Sequence, residues 1–117
     1  ITGTGGAGKS SLTDELLNRF LRHFLAARLA VVAVDPTRRR TGGALLGDRI
    51  RINSLADQRI FMRSIATRRK NHATSVVLAD SLQLLRASGF DLIVVEPAGI
   101  GQSDTEIVDL VDLWAMT

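Results

Sequence analysis

Apolar residues recur three and four positions apart over residues 12–25, a spacing that predicts an amphipathic helix. Two later segments are continuous rather than periodic: residues 29–34 read LAVVAV and residues 91–96 read DLIVVE. Short apolar runs rich in β-branched residues are typical of strands buried on both faces of a parallel sheet. The pattern therefore predicts a helix and two buried strands.

Weaker patterns suggest the remaining elements. Residues 59–64 alternate in polarity, which favours a short strand, and the apolar positions of residues 71–88 predict a second helix that Gly89 would cap. Residues 37–54 are rich in glycine and charge and predict a long surface loop. After a second loop, PAGIGQSD, we expect a short helix over residues 105–112.

The glycines near the start of the chain form a phosphate-binding motif. Gly3, four residues, then Gly8-Lys9-Ser10 satisfy G-x-x-x-x-G-K-[ST]. Glycines let successive N–H groups face an anion, Lys9 would reach the β- and γ-phosphates, and the Ser10 hydroxyl would bind Mg²⁺. A merely flexible turn would not require Lys9 and Ser10 at these positions. The residues expected to contact nucleotide are Gly3, Gly5, Gly6, Ala7, Gly8, Lys9, Ser10, Ser11 and Gly99.

Together these patterns predict an α/β fold, namely the three-layer αβα fold of P-loop NTPases with a mostly parallel sheet. Only Ile1 and Thr2 precede the first glycine, and the final LWAMT resembles the start of a strand. We therefore expect residues 1–117 to form one partial domain, truncated at both ends.

Acidic residues follow the predicted strands, at the sheet edge where such folds bind ligands. Glu96 has the position of a magnesium-binding carboxylate, although it could simply end its strand. Asp35 and Asp48 are further candidates near the metal, Asp35 with the alternative of stabilising a turn. Glu96-Pro97-Ala98-Gly99 resembles the D-x-x-G of GTPases, and Gln102 is a candidate for orienting water. The candidate catalytic residues are Lys9, Glu96 and Gln102.

Composition narrows the possible partners and location. There is no apolar run long enough to span a membrane, and there is no cysteine for a disulfide or a thiolate metal site. A net charge of +3 with 4% aromatic residues is weak support for nucleic-acid binding. We expect a cytoplasmic protein without a nucleic-acid or membrane partner, with homo-oligomerisation left open. His23 and His72 lack the neighbours of a metal site and are assigned to packing or to the surface.

The segments GTGGAGKSSLTDEL, VDPTRRRTGGALLGDRIRIN, FMRSIATR and GFDLIVVEPAGIGQSDTEIVD resemble the MeaB/ArgK-type GTPases, in particular those built into fused mutases. These GTPases act as chaperones of adenosylcobalamin-dependent acyl-CoA mutases. The resemblance implies binding of GTP/GDP and Mg²⁺, GTP hydrolysis that gates cofactor loading, and adenosylcobalamin held only by a partner domain or protein. It also implies that Asp35, Asp48 and Glu96 gather about the metal.

Two features separate the chain from that family pattern. Pro97 stands where the family usually has threonine, and the N-K-x-D segment that recognises guanine would lie beyond Thr117. The preference for GTP over ATP therefore rests on the resemblance. Two other functions share the same motif: a P-loop small-molecule kinase and a nucleotide-binding interaction module that does not hydrolyse its ligand.

Overall fold

The computed structural model describes residues 1–3, 8–36, 57–67, 72–97 and 107–117, with the backbone alone at residues 35–36, 66–67 and 72–75. Its elements follow the order that the sequence predicts: a helix, two strands, a second helix and a third strand. In chain order they are α1 Lys9–His23, β1 Leu29–Pro36, β2 Ile60–Thr67, α2 His72–Ala87 and β3 Leu92–Glu96.

β1 lies between β2 and β3 and is parallel to both, so the strand order is β2-β1-β3. The start of the chain continues this arrangement. The backbone nitrogen of Ile1 donates to the Val95 carbonyl oxygen at 2.8 Å, and Thr2 forms a parallel bridge with Met116. The first residues therefore lie beside β3, and the bridge at Met116 supports the interpretation of LWAMT as the start of a strand.

The sheet carries a hydrophobic core on each face, because successive side chains of a strand point to opposite sides. The core under α1 contains Leu17, Leu21, Ala27, Leu29, Val31 and Val94. The core under α2 contains Ala30, Val32, Val34, Ile65, Leu78, Leu82, Leu85, Val95 and Ile107. Helix, sheet and helix thus form three layers, which confirms the predicted α/β fold with a parallel sheet.

The predicted boundaries are close to those observed, but β1 continues to Pro36, beyond the predicted run at residues 29–34. β2 extends to Thr67, beyond the expected end at residue 64, because its whole length pairs with β1. The described part of the expected helix at 105–112 is a 3₁₀ turn over residues 107–110. Gly89 ends α2 in the left-handed region with φ 81°, as predicted for a cap. The predicted loop at 37–54 lies outside the described residues.

Polar contacts mark the two ends of α1, and they lie at different strands of the sheet. At its carboxyl end, the Arg59 guanidinium donates to the carbonyl oxygens of Leu21 at 3.3 Å and Leu25 at 3.0 Å. Arg59 directly precedes β2, so this end of α1 lies at the β2 side of the sheet. The amino end lies at β3, as the contacts described next show. None of the helices in the described ranges is long and apolar enough to cross a membrane.

Candidate functional site

The amino end of α1 has the backbone geometry that the phosphate-binding motif requires. Gly8, which precedes the helix, is in the left-handed region with φ 85° and ψ 20°, and it accepts the hydrogen bond from the Leu12 N–H at 2.9 Å. Gly8, as the N-cap residue, has no side chain that could cap the first turn. The N–H groups of this turn, at the positive end of the helix dipole, are therefore suited to bind an anion.

The Lys9 side chain folds back over the motif. Its ammonium nitrogen Nζ donates to the carbonyl oxygen of Gly3 at 2.9 Å, which joins the first residue of the motif to its lysine. A positive charge therefore lies at the phosphate-binding loop. This is the placement that the motif predicts for a group that neutralises phosphate.

Ser10 and Glu96 meet at the carboxyl edge of the sheet. The Ser10 hydroxyl donates to Glu96 Oε1 at 2.9 Å, although the two residues are 86 positions apart. Ser10 lies in the first turn of α1 and Glu96 ends β3. The contact brings together two residues that the sequence selected as magnesium ligands.

These two side chains fit a magnesium ion. Mg²⁺ prefers oxygen ligands and usually takes only one or two from a protein, with the others from phosphate and water. A serine hydroxyl and a carboxylate beside a helix amino end provide such a pair. Among the described residues there is no cluster of three or more His, Cys, Asp or Glu residues that could hold a metal without these additional ligands.

The other predicted site residues are described to different extents. Ser11 lies exposed in the first turn of α1, and the backbone of Asp35 lies at the carboxyl edge of β1, near the row that contains Glu96. Pro97 is buried directly after β3. The remaining predicted residues, Gly5, Gly6, Ala7, Asp48, Gly99 and Gln102, lie outside the described residues, so their roles stay predictions.

The two histidines differ in how far they are described. His23 is exposed at the end of α1, where its Nδ1 lies 2.8 Å from the Arg19 carbonyl oxygen, so it takes the second of the two predicted alternatives, packing or the surface. His72 begins α2 and its side chain is not described.

Thr13 is a residue near the site that the sequence interpretation missed. Its side chain is fully buried, and its hydroxyl has no hydrogen-bond partner among the described residues. Thr13 lies four residues before the buried Leu17, so a polar residue within the apolar spacing of α1 was the available signal.

A glycine-led helix start with this lysine and serine, at the carboxyl edge of a parallel sheet, defines one class of α/β proteins, the P-loop NTPases. Within that class, the chain belongs to the MeaB family. The family described as "Methylmalonyl Co-A mutase-associated GTPase MeaB" matches residues 1–117.

Similarity to named proteins supports membership in the same family. The chain is 52% identical over 119 residues to fused isobutyryl-CoA mutase of Geobacillus kaustophilus and 57% identical over 124 residues to that of Paraburkholderia xenovorans. Each match covers all of this chain, but only 11% and 10% of those proteins. GTPase ArgK of Escherichia coli is 38% identical over 115 residues, covering 97% of this chain and 34% of ArgK. The resemblance found in the sequence is confirmed, and the chain spans only a small part of these relatives.

Proposed function

We propose that this chain is the phosphate- and magnesium-binding part of a domain that binds and hydrolyses GTP. The observation that carries the proposal is the contact between the Ser10 hydroxyl and Glu96 Oε1, at the amino end of the helix that follows the glycine motif. Membership in a family of GTPases supports guanine nucleotide as the ligand.

Each site residue has a proposed task in this function. The N–H groups from Gly3 to Ser11 bind phosphate, and Lys9 neutralises the β- and γ-phosphates. Ser10 and Glu96 hold magnesium, with Asp35 and Asp48 as further acidic groups around it. Gly99 would contact the γ-phosphate, and Gln102 would orient the attacking water.

The described residues are suited to phosphoryl transfer, a reaction that requires positioning and neutralisation of charge more than covalent participation. α1 holds its first-turn N–H groups in a fixed direction because Leu17 and Leu21 are buried against the sheet. Lys9 already contacts Gly3, the first residue of the motif, and Glu96 is fixed at the end of a paired strand. Bound magnesium would supply additional positive charge beside the phosphates.

We propose that the parent protein uses this nucleotide cycle to gate the loading of adenosylcobalamin into an acyl-CoA mutase, fused or separate. Four relatives bear the name fused isobutyryl-CoA mutase, and the family description names methylmalonyl-CoA mutase. Adenosylcobalamin would be held by the mutase partner. We further propose that residues 1–117 are one partial domain and that the parent is cytoplasmic.

The test is nucleotide binding and hydrolysis by the complete parent protein and two variants. Lys9→Ala should weaken GTP binding on the order of a hundredfold, because it removes a charge aimed at the phosphates. Arg22→Ala is the matched control, since Arg22 is an exposed cation in the last turn of the same helix. It should bind GTP as the unaltered protein does.

Different results would contradict different parts of the proposal. Equal GTP affinity in Lys9→Ala and the parent would show that the phosphate site is misplaced, whereas tighter binding of ATP than of GTP would contradict a GTPase. If single-turnover measurements left GTP intact, the protein would be a binding module. Phosphate release that depends on a metabolite acceptor rather than on water would indicate a small-molecule kinase.

A further inference from the structure

The face of the sheet that α1 covers changes character towards the site. Residues in register on the three strands form rows across this face. The first two rows are entirely apolar, whereas the third contains two polar residues. In the order β2, β1, β3 the rows are Ile60–Leu29–Leu92, Met62–Val31–Val94 and Ser64–Ala33–Glu96. The apolar core under α1 therefore ends at the row that carries Glu96.

Thr13 lies on α1 where this core ends. Leu17 and Leu21 pack in the apolar core, and Ser10 contacts Glu96 in the third row. Thr13 is one turn from Ser10 and one turn from Leu17, and its side chain is 0% exposed. Its hydroxyl has no hydrogen-bond partner among the described residues. A buried hydroxyl without a partner is unfavourable, so a state of the protein in which this hydroxyl gains a partner is favoured by that interaction.

The Glu96 carboxylate is the acceptor suited to become that partner. A carboxylate has about four acceptor positions on its two oxygens, and the Ser10 hydroxyl uses one of them on Oε1. Thr13 is only about 4.5 Å further along the helix axis than Ser10. Because α1 starts at β3 and reaches the β2 side only at its far end, Thr13 lies towards the strand that carries Glu96.

We propose, on the basis of the magnesium-binding function above, that Thr13 is a positioning residue for Glu96. When nucleotide and magnesium are bound, the Thr13 hydroxyl donates a hydrogen bond to the Glu96 carboxylate and holds it in orientation towards the metal. Thr13 itself touches neither nucleotide nor metal.

Ser64 provides a matched control. Its hydroxyl is also buried and also has no partner among the described residues, and it lies in the same row as Glu96. However, β1 separates the two strands, so their backbones are about 10 Å apart. The Ser64 hydroxyl is therefore too distant to orient the carboxylate directly.

The test is a calorimetric titration of Mg²⁺ into the complete parent protein loaded with GDP. Thr13→Val keeps the shape of the side chain and should raise the magnesium dissociation constant about threefold to tenfold, the effect of losing one hydrogen bond. Thr13→Ser keeps the hydroxyl and should restore the parent's magnesium affinity. Ser64→Ala should leave it unchanged. Binding of GDP in the presence of EDTA should be equal in all four proteins.

Several results would overturn the proposal. Unchanged magnesium affinity in Thr13→Val would show that the hydroxyl does not act on Glu96, and an equal loss in Thr13→Val and Ser64→Ala would indicate a general packing effect. A loss in Thr13→Ser as large as in Thr13→Val would show that the methyl group, not the hydroxyl, is required. If the unaltered parent protein loaded with GDP bound no magnesium, both this proposal and the proposed function would be wrong. If the parent bound magnesium and Thr13→Val bound it equally well, only the role of Thr13 would be overturned.

Discussion

Gly8 and Gly89 have nearly the same φ angle but lie at opposite ends of different helices. Their φ angles are 85° and 81°, and a Cβ atom added to either would meet no heavy atom within 4 Å. The requirement for glycine at both positions is therefore conformational, since L-residues rarely adopt positive φ. The two glycines differ in position, because Gly8 lies at the phosphate-binding loop and Gly89 follows α2.

This pair allows strain to be separated from function. Gly8→Ala and Gly89→Ala should each destabilise the protein by about 1 kcal/mol, because alanine is strained in the left-handed region. Only Gly8→Ala should weaken nucleotide binding, since relief of the strain would turn the first N–H groups of α1. Denaturant unfolding and GDP titration would measure the two effects. Equal GDP affinity in both variants would contradict a role for the Gly8 conformation in binding.

Asp57 and Arg59 form a second residue-level feature, at the opposite edge of the sheet from the site. The Arg59 Nη2 lies 2.8 Å from Asp57 Oδ2, and hydrogen bonds from Arg59 lower the pKa of the Asp57 carboxyl from 3.8 to about 2. The charged carboxylate in turn holds the guanidinium that binds the α1 carbonyl oxygens. The pair therefore links the start of β2 to the end of α1.

The lowered pKa gives this pair a defined pH dependence. Its stabilisation should be complete above the unfolded pKa of 3.8 and should disappear as the pH falls through about 2. Asp57→Asn should therefore unfold at a lower temperature than the parent at pH 6, with a difference that shrinks below pH 4. Thermal unfolding across this pH range measures it. When Arg59→Gln is already present, adding Asp57→Asn should change the unfolding temperature with little dependence on pH. If Asp57→Asn lowered the unfolding temperature by the same amount at every pH, with or without Arg59→Gln, the pH dependence would not come from the Asp57–Arg59 pair.

α1 is an amphipathic helix whose buried stripe fixes the direction of the site. Leu17 is 0% exposed in the core under the helix, whereas the adjacent Leu16 is 40% exposed. Since the amino end of α1 carries Lys9 and Ser10, the packing of this stripe holds those side chains against the sheet edge. Loss of packing should therefore affect stability first and nucleotide binding as a consequence.

Substitution of these neighbouring leucines tests that stripe. Leu17→Ala should lower the free energy of unfolding by about 2 to 5 kcal/mol, because it leaves a cavity in the core. Leu16→Ala removes the same atoms from a partly exposed position and should lower the free energy of unfolding by clearly less. Denaturant unfolding of both variants provides the comparison. Similar losses would show that α1 is packed in a different rotation.

In the whole described sheet, β1 is the strand that the other elements enclose. It pairs along its length with β2, pairs with β3 on its other side, and contributes residues to both cores. Its backbone amides should therefore exchange with solvent only through extensive unfolding. β2 pairs with β1 and has no second strand partner among the described residues.

Hydrogen exchange should reflect that difference. The amides of residues 30–34 should exchange more slowly than those of residues 61–65, although the two segments pair with each other. Exchange followed by NMR or by mass spectrometry of peptides measures the rates. Equal protection of both strands in the isolated chain would indicate that a further element covers β2.

Periodicity and residue type alone predicted most of the fold. The continuous runs at residues 29–34 and 91–96 predicted buried parallel strands, and Gly89 marked the end of α2, because these features depend on local conformation and burial. The G-x-x-x-x-G-K-S motif is also local, so Lys9 and Ser10 were selected without coordinates. The full extent of β2 was not predicted, since its last residues owe their conformation to pairing with β1.

Distances between separate parts of the chain required the three-dimensional arrangement. Ser10 and Glu96 were both expected at the ligand-binding edge, but their 2.9 Å contact across 86 positions follows from the strand order and the crossing of α1 over the sheet. Thr13 lies four residues before Leu17, and this spacing could have indicated burial, but threonine has no fixed preference for burial and the spacing alone does not show what its hydroxyl contacts. Its buried hydroxyl beside the row of Glu96 results from packing, which is not encoded in any short segment.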